Sequence, residues 1–339
     1  MTPVAFLAPG QGAKRVDVTL RSVARSGHGR AWCELAARAA GLPLQRILER
    51  PSLLDRTEVL QPMLTAVTLV AGEAVMKAGV VPAVIAGHSL GELAAWSLAG
   101  GVRAEDAIEL AALRGRLMAR EADQFPGGMV AVTTSEQEVF EAVLAAGRRA
   151  GTLCFAARNA PDEAVLSGDE AAVRAALASA PSIATRLPTT GAWHSPAMAG
   201  ALGEWHAAVS AAAGVAVSAA AAVSAGVAGR PLFVANRTGE IVTAPDEIPA
   251  LLAEQLVRPV EWARSLATVR SRAGLIVTLG PGAVLRALWR RNIAGETPLF
   301  ATDDERSLAE TIAVLRSRLG LAADPATRLA PRRDSKDHP

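Results

Sequence analysis

Ser89 stands in Gly87-His88-Ser89-Leu90-Gly91-Glu92, directly after the apolar run 80–86 and directly before the alanine-rich stretch 93–99. An apolar run of that length bounded by glycine reads as a buried parallel strand and the stretch behind it as a helix, so Ser89 falls on the turn between them. Flanking glycines permit the tight, strained backbone that pushes a hydroxyl outwards, and they let a substrate carbonyl come close. A helix starting there aims its first backbone N–H groups at the same point, which favours a developing oxyanion. With 29 glycines in 339 residues, a bare Gly-x-Ser-x-Gly arises by composition in roughly one such chain in eight, so the strand-before, helix-after setting is what makes Ser89 a candidate nucleophile. An ordinary glycine-rich turn is the alternative.

Half of the chain is apolar, enough to bury one large domain or two moderate ones. A formal charge of +2 with no basic stripe among aromatics argues against a nucleic-acid partner. Only Lys14, Lys77 and Lys336 are lysines, whereas alanine, glycine and arginine abound. That skew resembles a GC-rich bacterial coding background, so no single arginine is informative by itself. Cys33 and Cys154 are too few for a disulfide framework and lack metal-ligand spacing, and they fit a reducing compartment. The N-terminus has no basic region and too short an apolar run for a signal peptide, so a cytoplasmic location is expected. Residues 207–229 carry no charge, but alanine, serine and glycine dominate them and insert poorly into a bilayer, so a helix is expected rather than a membrane span. Residues 323–339 mix Pro, Arg, Asp and Lys without periodicity and read as a loose tail.

Short apolar runs alternate with helical patterns, which argues an α/β architecture with a largely parallel sheet. The run 4–8 ends at Pro9-Gly10-Gln11-Gly12, a strand followed by a glycine-rich turn. A helix is expected over 104–120. Between 127 and 187 the order changes to strand, helix (135–146), strands (152–157 and 164–167), helix (169–178) and strand (182–187). That βαββαβ order is ferredoxin-like. The expected division is a large subdomain, 1–125 with 190–322, and an inserted small subdomain, 126–189, followed by the tail.

A serine hydroxyl needs a base, and histidine is the usual one. Of five histidines, His88 adjoins Ser89 and should point away from it, His338 lies in the tail, His28 in a polar stretch and His206 on an alanine-rich helix. His194, in Gly191-Ala192-Trp193-His194-Ser195-Pro196, follows a strand and precedes a helix, where a loop can project it into a cleft. A hydrogen-bonded structural histidine fits the same sequence.

Together, Pro9-Gly10-Gln11-Gly12, Leu60-Gln61-Pro62, Gly87-His88-Ser89-Leu90-Gly91-Glu92, Arg114-Gly115 with Met118, His194-Ser195-Pro196 with Met198, Gln255-Leu256 with Pro259-Val260 and Trp262, and Gly280-Pro281-Gly282 resemble the malonyl-CoA:acyl carrier protein transacylase family. Free-standing enzymes and polyketide synthase acyltransferase domains both belong to it, and the likeness runs in order over residues 3–320. It implies an α/β-hydrolase-like large subdomain with a ferredoxin-like insertion. It further implies that Ser89 attacks the thioester of an acyl-CoA while His194 accepts and returns the proton, and that an acyl carrier protein's phosphopantetheine thiol then takes the acyl group in ping-pong order.

By the same resemblance, the backbone N–H groups of Gln11 and Leu90 form the oxyanion hole, and Gln255 orients His194 through its backbone carbonyl. Arg114 holds the carboxylate of a malonyl group. Trp193, with Leu90, bears on the α-substituent, though core packing is an equal reading for Trp193. Gln61 and His88 complete the substrate-binding set, with a helix-start surface role as the alternative for Gln61. No bound cofactor and no metal is expected; acyl-CoA is the donor, the acyl carrier protein the partner, and the chain a monomer acting in trans in polyketide or fatty acid biosynthesis. Two departures stand out: Ala13-Lys14-Arg15-Val16 replaces the family's usual Ser-Gln continuation, and 207–229 is longer than usual. The competing functions are a hydrolase of the same fold that clears stalled acyl groups from carrier proteins, which Arg114 argues against, and a non-catalytic docking protein, which the intact set of Gln11, Ser89, Arg114 and His194 opposes.

Overall fold

Among the described residues, 2–223 and 230–321 of a computed structural model, nine strands fall into two sheets. The larger sheet contains β1 (Val4–Ala8), β2 (Val84–Gly87), β7 (Leu232–Val234), β8 (Leu275–Thr278) and β9 (Leu299–Ala301), in the order β7-β2-β1-β8-β9. Every pairing in it is parallel. Helices cover a parallel sheet on both faces, which is why β1, β2 and β8 are buried at every residue and read as unbroken apolar runs. Two long helices, Thr57–Lys77 and Ala104–Gln124, pack against each other beside it. Thr57–Lys77 is, among the described residues, the one helix long and apolar enough to cross a membrane, and it is mostly buried within the protein.

The smaller sheet contains β3 (Gly127–Thr133), β4 (Leu153–Ala160), β5 (Glu163–Asp169) and β6 (Ala184–Arg186), antiparallel throughout in the order β4-β5-β3-β6. Its strands alternate. Val130, Val132 and Leu166 join a separate core beneath the helices Gln137–Ala150 and Glu170–Ser179, while Met129 and Val165 face the large core. This is the expected ferredoxin-like order, and it supports a proposed division near 126 and 189.

Differences from expectation have local causes. The strand expected at 80–86 starts only at Val84, because Pro82 lacks an N–H for the ladder and Val81 is exposed. β9 was not anticipated: it is three half-buried residues at a sheet edge, with no run long enough to read. The helix Leu202–Val223 covers the first part of 207–229; residues 224–229 and the tail 323–339 lie outside the described residues.

The topology places the site. Strands β1 and β2 are neighbours with Ala8 opposite Gly87, so the turns carrying Gln11 and Ser89 leave the carboxyl edge of the sheet side by side. In open α/β sheets that edge, where strand order reverses, is where ligands bind.

Candidate active site

Ser89 has φ 52°, a left-handed conformation costly for a residue with a Cβ. Asn236, just past β7, holds it there: its Oδ1 accepts the Ser89 N–H at 2.6 Å and its Nδ2 donates to the Gly87 carbonyl. Gly91 is required by space, since a Cβ there would lie 2.2 Å from the Ala8 carbonyl oxygen. The result is a hydroxyl fixed above the sheet edge.

His194 meets it from the loop after β6. Its Nδ1 lies 2.6 Å from the Gln255 carbonyl oxygen, which can only accept, so Nδ1 carries the proton and Nε2 is bare. That Nε2 sits 2.7 Å from Ser89 Oγ. His194 is also left-handed, φ 56°, and the next residue locks the turn: Ser195 Oγ donates to the Ala192 carbonyl at 2.6 Å and accepts the Ala197 N–H. Burial, reinforced by the charge of Arg114, pushes the imidazole down to about 3, so it is the neutral base near neutral pH.

Arg114 is 1% exposed on the helix Ala104–Gln124. Its Nη1 donates to Gln61 Oε1 at 2.9 Å, and its Nη2 to Gln255 Oε1 at 2.8 Å and to Ser89 Oγ at 3.3 Å. All three partners are neutral. Among the described residues no carboxylate forms an ion pair with it, and although burial lowers its pKa to about 10 it stays charged. Gln61 is fully buried, which excludes the surface reading. Its Nε2 donates to Thr57 Oγ1 at 2.8 Å, and Thr57 Oγ1 also accepts from Gln11 Nε2 at 2.7 Å. These bonds tie the turn after β1 to the arginine. The backbone N–H groups of Gln11 and Leu90 donate to no protein acceptor among the described residues, as a site for an oxyanion requires.

Two expected residues make none of these hydrogen bonds. His88 turns away from Ser89: its Nε2 lies 2.9 Å from Asn159 Oδ1 on β4, and its ring meets Trp262 edge-on. It joins the two sheets. Trp193 is 4% exposed, and its ring lies so close over Gly191 that a Cβ there would come within 2.5 Å of it.

A family profile described as acyl transferase domain matches residues 15–236. The chain belongs to this family. Polyketide synthase GfsB of Streptomyces halstedii is 35% identical over 298 residues, 84% of this acyl transferase but 5% of GfsB. The chain thus corresponds to a small part of that polypeptide. The malonyl CoA-acyl carrier protein transacylase of Mycolicibacterium smegmatis is 35% identical over 262 residues, 74% of this chain and 84% of that one. Among solved structures, the malonyl-CoA:acyl carrier protein transacylase of Xanthomonas oryzae superposes with a TM-score of 0.79 at 27% identity, covering 93% of this chain and 98% of that one.

Two residues of this acyl transferase's site escaped sequence reasoning. Asn236 follows a three-residue strand, and its only local signal is a polar residue at a strand's carboxyl end. Glu92 closes the serine motif, and its sequence setting assigns it no role. It is 1% exposed; its Oε1 accepts the Asn236 backbone N–H at 2.6 Å and its Oε2 accepts Gln255 Nε2. Burial pushes this carboxyl up to about 8, opposed by those two donors and by Arg114.

Proposed function

We propose that this acyl transferase moves a malonyl or related carboxylated acyl group from coenzyme A to the phosphopantetheine thiol of an acyl carrier protein, through an ester on Ser89. The observation that carries this reading is Arg114: a buried guanidinium, bonded only to neutral groups, 3.3 Å from the nucleophile. A buried charge with no carboxylate in direct contact is costly, since Glu92 acts on it only from behind Gln255, and a carboxylated acyl group brings a direct partner. Relatives named for malonyl-CoA and acyl carrier protein, and polyketide synthases, supply the biosynthetic setting.

The chemistry follows from the proton positions. Ser89 Oγ attacks the thioester carbonyl as its proton passes to His194 Nε2, and the Gln11 and Leu90 N–H groups take the oxyanion. The tetrahedral intermediate expels the thiolate of coenzyme A, which takes the proton from His194, leaving acyl-serine. The carrier's thiol then gives its proton to His194 and attacks the ester, and Ser89 recovers a proton as it leaves. Arg114 lowers the basicity of His194. A donor carboxylate on Arg114 neutralises that charge, so the correct substrate strengthens its own base.

The test is intact mass. Malonyl-CoA is mixed with the protein, the adduct on Ser89 is sought, and phosphopantetheinylated carrier protein is then added. A malonyl adduct that moves to the carrier is expected. No adduct with malonyl-CoA overturns the reading, and release to water with the carrier left unloaded makes the protein a hydrolase instead.

A further inference from the structure

We infer that Glu92 is a positioning residue for donor selectivity: by fixing the direction of the Gln255 amide, it orients Arg114 for a carboxylated acyl group. The geometry is a chain of three links. Glu92 Oε2 and the Ser89 carbonyl oxygen both lie on Gln255 Nε2, the latter at 3.0 Å. Both act as acceptors toward that nitrogen, and each Glu92 oxygen takes one N–H, Oε1 from Asn236 and Oε2 from Gln255. The NH2 end of Gln255 must therefore face them. Its Oε1 is left for Arg114 Nη2 at 2.8 Å, the nitrogen that also reaches Ser89 Oγ. If the amide turned over, NH2 would meet guanidinium, donor against donor, and Arg114 would lose one of its two neutral anchors.

The same residue serves the base by a separate route. His194 leans on the backbone carbonyl of Gln255, not on its amide. Turning the amide over leaves that carbonyl in place, so the hydrogen bond that orients His194 survives a change in the Arg114 anchor. In Glu92→Gln, the new side chain can keep the Asn236 N–H on its oxygen, and its NH2 then faces Gln255 and drives the amide round.

Because this depends on the carboxylated-donor reading, the experiment begins with wild-type protein. Loading of Ser89 from malonyl-CoA and from acetyl-CoA is measured as kcat/KM for wild type, E92Q, R114A and the double variant. The ratio of the two donors cancels any difference in folded fraction. The expected result is a malonyl preference in wild type that falls about tenfold in E92Q, the worth of one charge-assisted hydrogen bond. The fall should come mainly through KM for malonyl-CoA. In the R114A background, E92Q should leave the ratio unchanged, since its effect runs through Arg114. Equal losses for both donors in E92Q, or a further fall in the double variant, would overturn the inference while leaving the proposed function standing. Should E92Q not fold, Gln255→Leu removes the same amide and must lower the ratio likewise; an unchanged ratio there overturns it too. A wild type that takes no malonyl group sinks the function itself, and this inference with it.

Discussion

The small antiparallel sheet and the carboxyl edge of the large parallel sheet treat strain and charge in opposite ways. In the small sheet, Val130, Val132 and Leu166 pack under two amphipathic helices, Asp169 caps one of them by accepting the Ala172 N–H at 2.9 Å, and the Arg186–Glu170 ion pair stays in solvent. Local rules account for all of it. At the edge of the large sheet, two residues with side chains, Ser89 and His194, sit at positive φ, and Arg114, Glu92 and His194 are buried. Such departures persist only where surrounding contacts over-determine them, and here Asn236, Ser195 and Gln255 supply those contacts. One region is built for stability, whereas the other holds groups in states that folding alone would not favour.

That contrast can be broken by mutation. The largest effect belongs to the strained edge: Ser89→Ala or His194→Ala should cut transfer by about 10⁴-fold or more with thermal stability little changed. Stopped assays of carrier loading would measure it, and substantial residual transfer would remove these two residues from the chemistry. Next, Arg114→Ala should lower malonyl loading by about 10²-fold and acetyl loading much less. Equal losses would contradict its role as carboxylate site.

On the other side, Leu166→Ala in the small core should cost about 2–5 kcal/mol of stability in denaturant melts. It should leave the malonyl-to-acetyl ratio untouched; a changed ratio would mean that the two regions are coupled more tightly than their separate cores suggest. Asp169→Ala should cost only about 1 kcal/mol, the worth of one helix cap. Its hydrogen bonds hold the Asp169 carboxyl below the ordinary range. The stabilisation is therefore present above the unfolded pKa and lost as pH falls through the folded one. Melts of wild type and variant should converge in strong acid.

The smallest expected change is none. Protonation silences the base, and burial lowers the His194 pKa from 6.5 to about 3. The kcat/KM for loading should thus hold between about pH 7 and pH 5, with no titration near the ordinary histidine value. A half-loss near 6.5 would mean that His194 is solvated in the working enzyme.

The small subdomain was almost wholly legible because its elements follow from alternation and helical period within ten or so residues; β4 ran to Ala160 and β5 began at Glu163, a few residues beyond the apolar runs that announced them. The serine turn was legible for the same reason. Gln61 was ambiguous, because a glutamine near a helix start is normally solvated, and only packing against Thr57, Met118 and Arg114 buries it. Asn236 was invisible, because its partner Ser89 lies 147 residues earlier.

By itself the sequence determined a strand-turn-helix around Ser89, a βαββαβ insertion and a short list of possible bases, since glycine sterics and apolar period act over neighbouring residues. The tertiary structure decided which histidine meets the serine, which nitrogen of it is bare, and that Arg114 is buried against neutral hydrogen-bond partners while Glu92 lies behind Gln255. Desolvation and hydrogen-bond partnership depend on every element packed around a group, and no window of sequence contains them.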